Sequence, residues 1–526
     1  MSLSRHLDSG LAAAAACATA AALIAATMAT WGLQLLDDGY YYLQVAANIS
    51  RGAGSSFDGI HTTNGYHPLW QFLLVPLHWI ASKPAAAWLA VGLQTLLFAA
   101  SGLVLCRLVR RAGGGTGTAT AACAFWVLNL WLWGKGAMSG METGLLLVLF
   151  GLCLNLLLRT LRSGGGGWSL GMLLALTAAA RLDAVALATA AVAVLLARRM
   201  RGQALRAAVP TAAYLAVHLP LNALLFGGAT PVSGYVKSRY GRELVRRLFR
   251  HGDTAALSHA FSNLCGLVTL GGRLPLWAAL AGLTALAAAA AAAWRRGGEG
   301  LRGLMAATGI YGAVLLGFYA LLYPSLLGAY TYYWLPMLYA LVGVAFASLA
   351  GFGRRLRGWA VASALVLLLA FDLIYAADRL GSWSFTVPER ERPEAAGVRF
   401  LNSLQGDVLV GSWDAGYLGW RCRHPVVNLD GLVSSYRYQE FQQEHGVEEW
   451  ILQEGITHLA NVDYYSGKRE LAEERLGWTR VFADTAAMPR PVSLFSLSPA
   501  ELEYASRETR IFYVYARPAG TVRRSR

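Results

Sequence analysis

The sequence predicts a polytopic α-helical membrane protein, with about eleven transmembrane helices of about 20 apolar residues each, followed by a C-terminal extracytoplasmic α/β domain. Three observations carry the prediction. Of 526 residues, 56% are hydrophobic and 14% charged, and the mean hydropathy is +0.42. That is too apolar and too poor in charge for a soluble protein of this length. Apolar runs long enough to cross a bilayer recur through residues 1–383. From 384 to 526 the chain turns charged and mixes helix-like with strand-like stretches.

The apolar runs lie near 11–33, 85–106, 119–133, 143–158, 169–181, 183–197, 207–226, 274–294, 303–322, 335–352 and 358–376. Between them stand Arg107/Arg110/Arg111, Arg159/Arg162, Arg198/Arg199/Arg201/Arg206, Arg295/Arg296/Arg302 and Arg354/Arg355/Arg357, with Glu299 as the acid among them. Cytoplasmic loops carry the excess of basic residues, which places these clusters in the cytoplasm. The first run follows Arg5 and His6 and shows no small-residue cleavage site before the acidic pair, so it reads as a spanning helix. Residues 67–80 look apolar and helical, but a span there would invert every later cluster. At about 14 residues, with Gln71, Pro76 and His78, the segment reads as a juxtamembrane helix on the outer surface. The outer first loop then covers 34–84, and an odd number of spans leaves the domain at 384–526 outside. Its expected helices are 389–404 and 468–476, and its expected strands 408–411, 425–429, 457–462 and 510–515.

The net charge of +15 resides largely in short arginine clusters between apolar runs, as topology requires, and implies membrane lipids rather than nucleic acid as surroundings. The six cysteines are scattered, with neither metal-ligand spacing nor a disulfide framework. The glycine runs at 113–115 and 164–167 lack the Lys-Ser/Thr of a phosphate loop.

Chemistry gathers on the outer side. Asp37 and Asp38 stand where the first helix leaves the bilayer, a placement that is costly and by default functional. A carboxylate beside another has its pKa raised, which suits a base that takes a proton from a hydroxyl. Arg181, Lys237, Arg239 and Lys135 are the outer cations available to a phosphate, arginine through its planar fork and lysine as a point charge. Tyr41, Tyr42, Asn64, Tyr66, His67, Asp183 and Tyr333 offer polar and aromatic contacts to a sugar. Plainer readings stand beside these. The aspartates would cap a juxtamembrane helix, Glu142 would answer the dipole of the helix behind it, and Arg181 with Asp183 would be a structural pair. Lys237 and Arg239 would sit among headgroups, and the aromatics from Tyr330 to Trp334 would form an interfacial belt.

Asp37-Asp38-Gly39-Tyr40-Tyr41-Tyr42-Leu43-Gln44-Val45-Ala46-Ala47-Asn48-Ile49, then Gly52-Ala53-Gly54 and His67-Pro68-Leu69, resembles the first outer loop of the GT-C glycosyltransferases. These include lipid A aminoarabinose, lipopolysaccharide galacturonic acid, protein O-mannosyl and cell-wall arabinofuranosyl transferases. Ser139-Gly140-Met141-Glu142-Thr143 resembles their second acidic outer loop, Arg181-Leu182-Asp183 the third polar turn, and Phe226-Gly227 with Pro231-Val232-Ser233-Gly234 and Lys237 a later loop. Trp413-Asp414-Ala415-Gly416 and Asn428-Leu429-Asp430-Gly431-Leu432 resemble the extracytoplasmic domain of a bacterial subgroup. The resemblance implies inverting transfer of a sugar from a polyprenyl-phosphate donor to an envelope glycan, lipid or protein acceptor, at the outer face of the cytoplasmic membrane. It implies Asp38, Asp37 and Glu142 as catalytic, with Asp414 and Asp430 on the substrate side. Many relatives have Asp-Glu where this chain has Asp-Asp-Gly, which leaves open which aspartate is the base. Asp38 falls in the register of the leading aspartate. A divalent cation, Mg or Mn, between Asp38 and Glu142 also stays open. A glycan ligase is the nearest alternative. A transporter or lipid flippase would carry ionisable residues in mid-span and two similar halves, and the sequence displays neither.

Overall fold

A computed structural model of the chain describes residues 2–33, 35–252, 290–291, 293–322, 331–380, 393–462, 466–487 and 509–518. Helix α1 (Ser2–Trp31) leads into a loop that holds α2 (Asp37–Ser50), α3 (Pro68–Leu74) and α4 (Leu77–Ile80). Then follow α5 (Lys83–Arg111), α6 (Thr116–Val127), α7 (Thr143–Ser163), α8 (Gly167–Ala180), α9 (Val185–Ala197) and α10 (Arg201–Phe226). The helical part continues with α11 (Val232–His251), α12 (Glu299–Leu322), α13 (Leu335–Ser348) and α14 (Arg354–Leu380).

Gly10–Thr30, Lys83–Arg111, Thr143–Ser163, Arg201–Phe226 and Glu299–Ala320 are long and apolar enough to cross a bilayer. Gly167–Ala180, Leu182–Ala197 and Leu335–Ser348 are apolar but shorter. The expected span at 274–294 lies largely outside the described residues, as do Tyr330 and the expected boundary at 384. The run at 119–133 is not one helix: α6 ends at Val127, and Trp133–Ala137 winds as a π-helical turn. Small residues bring the helices close, as membrane helices require. A Cβ on Gly144 would stand 2.9 Å from the Gln94 carbonyl, and one on Gly151 would press on Val104, so α7 lies tight on α5.

Residues 67–80 do not form a long helix. They break into α3 and α4 at Pro76, which lacks an N–H, and leave Phe72, Leu73, Trp79 and Ile80 exposed as a surface-lying element does. The arginine clusters meet at one end of the bundle. Arg162 donates to the Arg111 carbonyl, Arg198 lies 3.5 Å from Glu299, and Arg357 flanks Gly115. Arginine is not confined to that end, however. Helix α11 carries Arg239, Arg242, Arg246, Arg247 and Arg250, all exposed, at the end where its own Lys237 approaches Asp38.

The C-terminal part comprises α15 (Pro393–Ser403), β1 (Val410–Ser412), α16 (Ala415–Arg421), β2 (Val426–Asn428), α17 (Tyr436–His445), α18 (Val447–Gln453), β3 (His458–Val462), β4 (Thr479–Ala487) and β5 (Thr509–Ala516). Its sheet has the order β2-β1-β3-β5-β4, with β1 parallel to β2 and β3, and β5 antiparallel to β3 and β4. Strand β4 and helices α16, α17 and α18 were not among the expected elements. This unit sits on the first loop. The Gly65 backbone packs so closely on Leu432 that a Cβ would collide with its carbonyl. His61 bridges Asp58 at 2.6 Å and Glu454 at 3.1 Å. Burial alone would lower the His61 pKa, but hydrogen bonds to both carboxylates raise it to about 9, so the bridge is ionic at neutral pH.

Candidate active site

Asp38, Tyr41, Tyr42 and Val45 recur at the i, i+3, i+4, i+7 spacing that puts side chains on one helix face. This face of α2 lines a cavity of about 490 Å³, within the range of small-molecule sites. Other walls come from Tyr66 and His67, from Met141 and Glu142 ahead of α7, and from Arg181 to Asp183 between α8 and α9. Tyr235, Lys237, Ser238 and Arg242 of α11 and Tyr333 add to them. Val185, Ala186, Val314 and Phe318 make the side toward α9 and α12 apolar, and Leu432 and Val433 bring in the C-terminal unit.

Charges buried here are paired, as the cost of burying a charge demands. Glu142 is 1% exposed; its Oε2 accepts the Tyr42 hydroxyl at 2.9 Å, and its Oε1 lies 3.7 Å from Arg181 and 3.8 Å from His67. Arg181, equally buried, donates to Asp183 at 2.9 Å and to the Tyr319 hydroxyl at 3.3 Å, and lies 4.4 Å over the Tyr333 ring. Lys237 donates to the Tyr333 hydroxyl at 3.2 Å and stands 4.0 Å from Asp38. The His67 backbone N–H donates to the Tyr42 hydroxyl. Burial lowers the His67 pKa against the pull of Glu142, which keeps the imidazole neutral at pH 7.

The residues expected at the site thus part into two groups. Asp38, Tyr41, Tyr42, Tyr66, His67, Glu142, Arg181, Asp183, Lys237 and Tyr333 surround one cavity. Asp37, Asn64, Lys135, Arg239, Asp414 and Asp430 are not among its lining residues. Asp37 caps no helix of its own, since the N-cap of α2 is Leu36 without a side-chain bond; its carboxylate instead accepts the Gly416 and Tyr417 N–H groups, each at 3.0 Å. Asn64 is a bridge: it donates to the Thr230 carbonyl at 3.1 Å and accepts the Val232 N–H at 3.0 Å, tying the first loop to α11. Lys135 lies in the π-helical turn, and Arg239 faces outward. Asp430 accepts the Tyr41 hydroxyl at 2.8 Å, while Asp414 is the N-cap residue of α16. Arg242, which sequence reading overlooked, lines the cavity one turn beyond Arg239 and covers the Tyr235 ring at 4.8 Å.

The donor set does not fit a divalent ion bridged between Asp38 and Glu142. Both Glu142 oxygens already face the Tyr42 hydroxyl or the Arg181 and His67 nitrogens, and Lys237 stands beside Asp38. Among the described residues, no group of three or more His, Cys, Asp or Glu is placed to hold a metal.

No protein-family model and no curated protein sequence matches the chain. Solved structures do. The aminoarabinose transferase ArnT from Cupriavidus metallidurans in the apo state superposes with a TM-score of 0.52 at 16% identity, over 91% of this chain and 93% of ArnT. The same protein bound to undecaprenyl phosphate gives 0.52 at 16%, over 94% and 97%. The chain has the GT-C fold. The archaeal oligosaccharyltransferase AglB from Archaeoglobus fulgidus, in complex with an inhibitory peptide and a dolichol-phosphate, is more distant, at 0.46 and 13% over 97% of this chain and 74% of AglB. Within this fold the loop between the first two long helices supplies α2 and, with it, Asp38 to the cavity.

Proposed function

We propose that the protein is an inverting glycosyltransferase that moves a sugar from a polyprenyl-phosphate donor to a hydroxyl of an envelope glycan, lipid or protein. In this reading the site and the C-terminal unit, residues 384–526, lie on the outer face of the cytoplasmic membrane. One observation carries the reading: a single cavity joins an apolar wall from α9 and α12 to a polar end with Asp38, Lys237 and Arg181. The apolar wall suits an isoprenoid chain and the cations its phosphate, leaving a carboxylate for the acceptor. That ArnT has been solved with undecaprenyl phosphate supports the choice of donor.

In this reading Asp38 takes the acceptor proton as the acceptor oxygen attacks the anomeric carbon from the face opposite the phosphate. The bond from carbon to phosphate oxygen breaks, and the leaving phosphate keeps the electron pair. Lys237, Arg181 and Arg242 stabilise its charge, so no general acid is needed. Neutral His67 and Tyr66 orient the sugar.

The test is transfer from a short-chain polyprenyl-phosphate sugar by the purified chain. Asp38→Asn is expected to fold and bind donor while losing about 10² to 10⁴ in rate, the usual worth of a general base. Turnover near that of the unsubstituted chain would remove Asp38 from the role.

A further inference from the structure

The two adjacent aspartates diverge because neighbouring positions on a helix point about 100° apart. Asp38 turns to the cavity, and Asp37 turns to α16. There its Oδ2 accepts the Gly416 N–H and its Oδ1 the Tyr417 N–H, two of the amides that a helix start leaves without partners. Asp414, the N-cap residue of α16, makes no side-chain cap bond, so Asp37 supplies the cap from across the molecule. Gly416 is required at this contact, since a Cβ there would run into the Asp37 carbonyl and carboxyl oxygens. Tyr40 packs edge-on against Tyr417 at 5.5 Å. One turn along α2, the Tyr41 hydroxyl donates to Asp430 at 2.8 Å and accepts from Asn428 at 3.1 Å. Asp430 in turn accepts the Leu432 N–H at 2.7 Å, and Leu432 and Val433 are cavity wall.

We propose that Asp37 is a positioning residue and not a second base: together with Tyr41 it seats the C-terminal unit on α2, so that Leu432 and Val433 complete the cavity while Asp38 faces into it. The C-terminal unit is then part of the site and not an appendage. Its importance for transfer rests on the glycosyltransferase reading; the seat itself does not.

Hydrogen exchange on the full chain in detergent separates the two. Asp37→Ala removes both acceptors, so the Gly416 and Tyr417 amides should exchange about 10- to 100-fold faster, the worth of a charge-assisted hydrogen bond. The Leu432–Val433 segment should loosen with them. Asp38→Asn should leave all four amides unchanged. Gly416→Ala, which keeps both aspartates, should reproduce the pattern of Asp37→Ala from the other side of the contact. With a short-chain polyprenyl-phosphate sugar as donor and native membranes as acceptor source, Asp37→Ala and Gly416→Ala should raise the half-saturating amount of membranes more than they lower the limiting rate. Asp38→Asn should do the reverse, and donor affinity should hold within about twofold in all three. Unchanged exchange in both Asp37→Ala and Gly416→Ala overturns the seat. A limiting rate that falls in Asp37→Ala as far as in Asp38→Asn, with exchange unaltered, makes Asp37 a second base. Failure of the unsubstituted chain to bind donor would sink the transferase reading, and the exchange data would still decide the seat.

Discussion

Tyr333 is the residue on which two of the cavity's cations converge, with Arg181 stacked on its face and Lys237 at its hydroxyl. Their surroundings predict different behaviour. Lys237→Ala should weaken binding of a short-chain polyprenyl phosphate by roughly 10- to 100-fold with little loss of stability, and Lys237→Arg should be tolerated. Arg181→Ala strands Asp183 and Glu142 without their buried partner, so it should also cost about 3 to 5 kcal/mol of stability. Arg181→Lys keeps the charge but not the fork, and should recover little. Titration of the lipid together with thermal unfolding distinguishes these outcomes, and Arg239→Gln and Lys135→Gln serve as cations outside the cavity. At this scale the sequence exposes residues whose charge interrupts an apolar run, which is why Asp38, Glu142, Arg181 and Lys237 stand out. It does not reveal the phase of a helix whose packing is unknown, and so Arg239 stands among the candidate cations and Arg242 does not. Nor does it reveal that Asp37 has its partners 379 and 380 residues away.

Among elements, the Asn64 amide ties the first loop to the start of α11. Asn64→Ala should cost about 1 to 3 kcal/mol in thermal unfolding, since it leaves the Val232 N–H unsatisfied. Asn64→Asp keeps that acceptor but loses the donation to Thr230, and should fall between. Most helices of the bundle were legible as apolar runs, several of them ended by arginine or glycine, whereas the basic helix α11 and the break between α3 and α4 were not. Strand β4 was not legible: Thr479 to Ala487 holds Asp484 and three alanines, residues depleted in strands, and pairs through a shifted register at Arg480 and Phe482. Helix α16 was hidden too, being a short element capped by a residue from another part of the chain.

For the whole molecule, proton uptake and sidedness give the tests. Asp37 and Asp430 have pKa values raised from 3.8 to about 7 and about 8, burial being the first cause in each. A pKa raised in the folded chain means that folding takes up protons, so this stabilisation is full below 3.8 and is lost as pH rises through 7 and 8. Thermal unfolding should therefore occur at higher temperature near pH 5.5 than near pH 8.5, a trend to which His61, raised to about 9, adds with the same sign, and Asp430→Asn should reduce the difference. A flat profile in the unsubstituted chain would refute the assignment. For sidedness, exposed cysteines at Ala53 and Gln453 should react with impermeant thiol reagents in spheroplasts, while one at Ser163, on the arginine end, should not. Labelling of the last alone would invert the topology.

The separation between Asp37 and α16 also sets an order in time. At a synthesis rate of about 5 to 20 residues per second, roughly 20 to 80 s pass between the emergence of the two. Through that interval α2 has neither its tether at Asp37 nor the one at Tyr41, and the cavity lacks the wall that Leu432 and Val433 provide. A chain still on the ribosome can therefore insert its helices without owning a finished site. The segment that closes the pocket is thus made only after every described helix of the bundle.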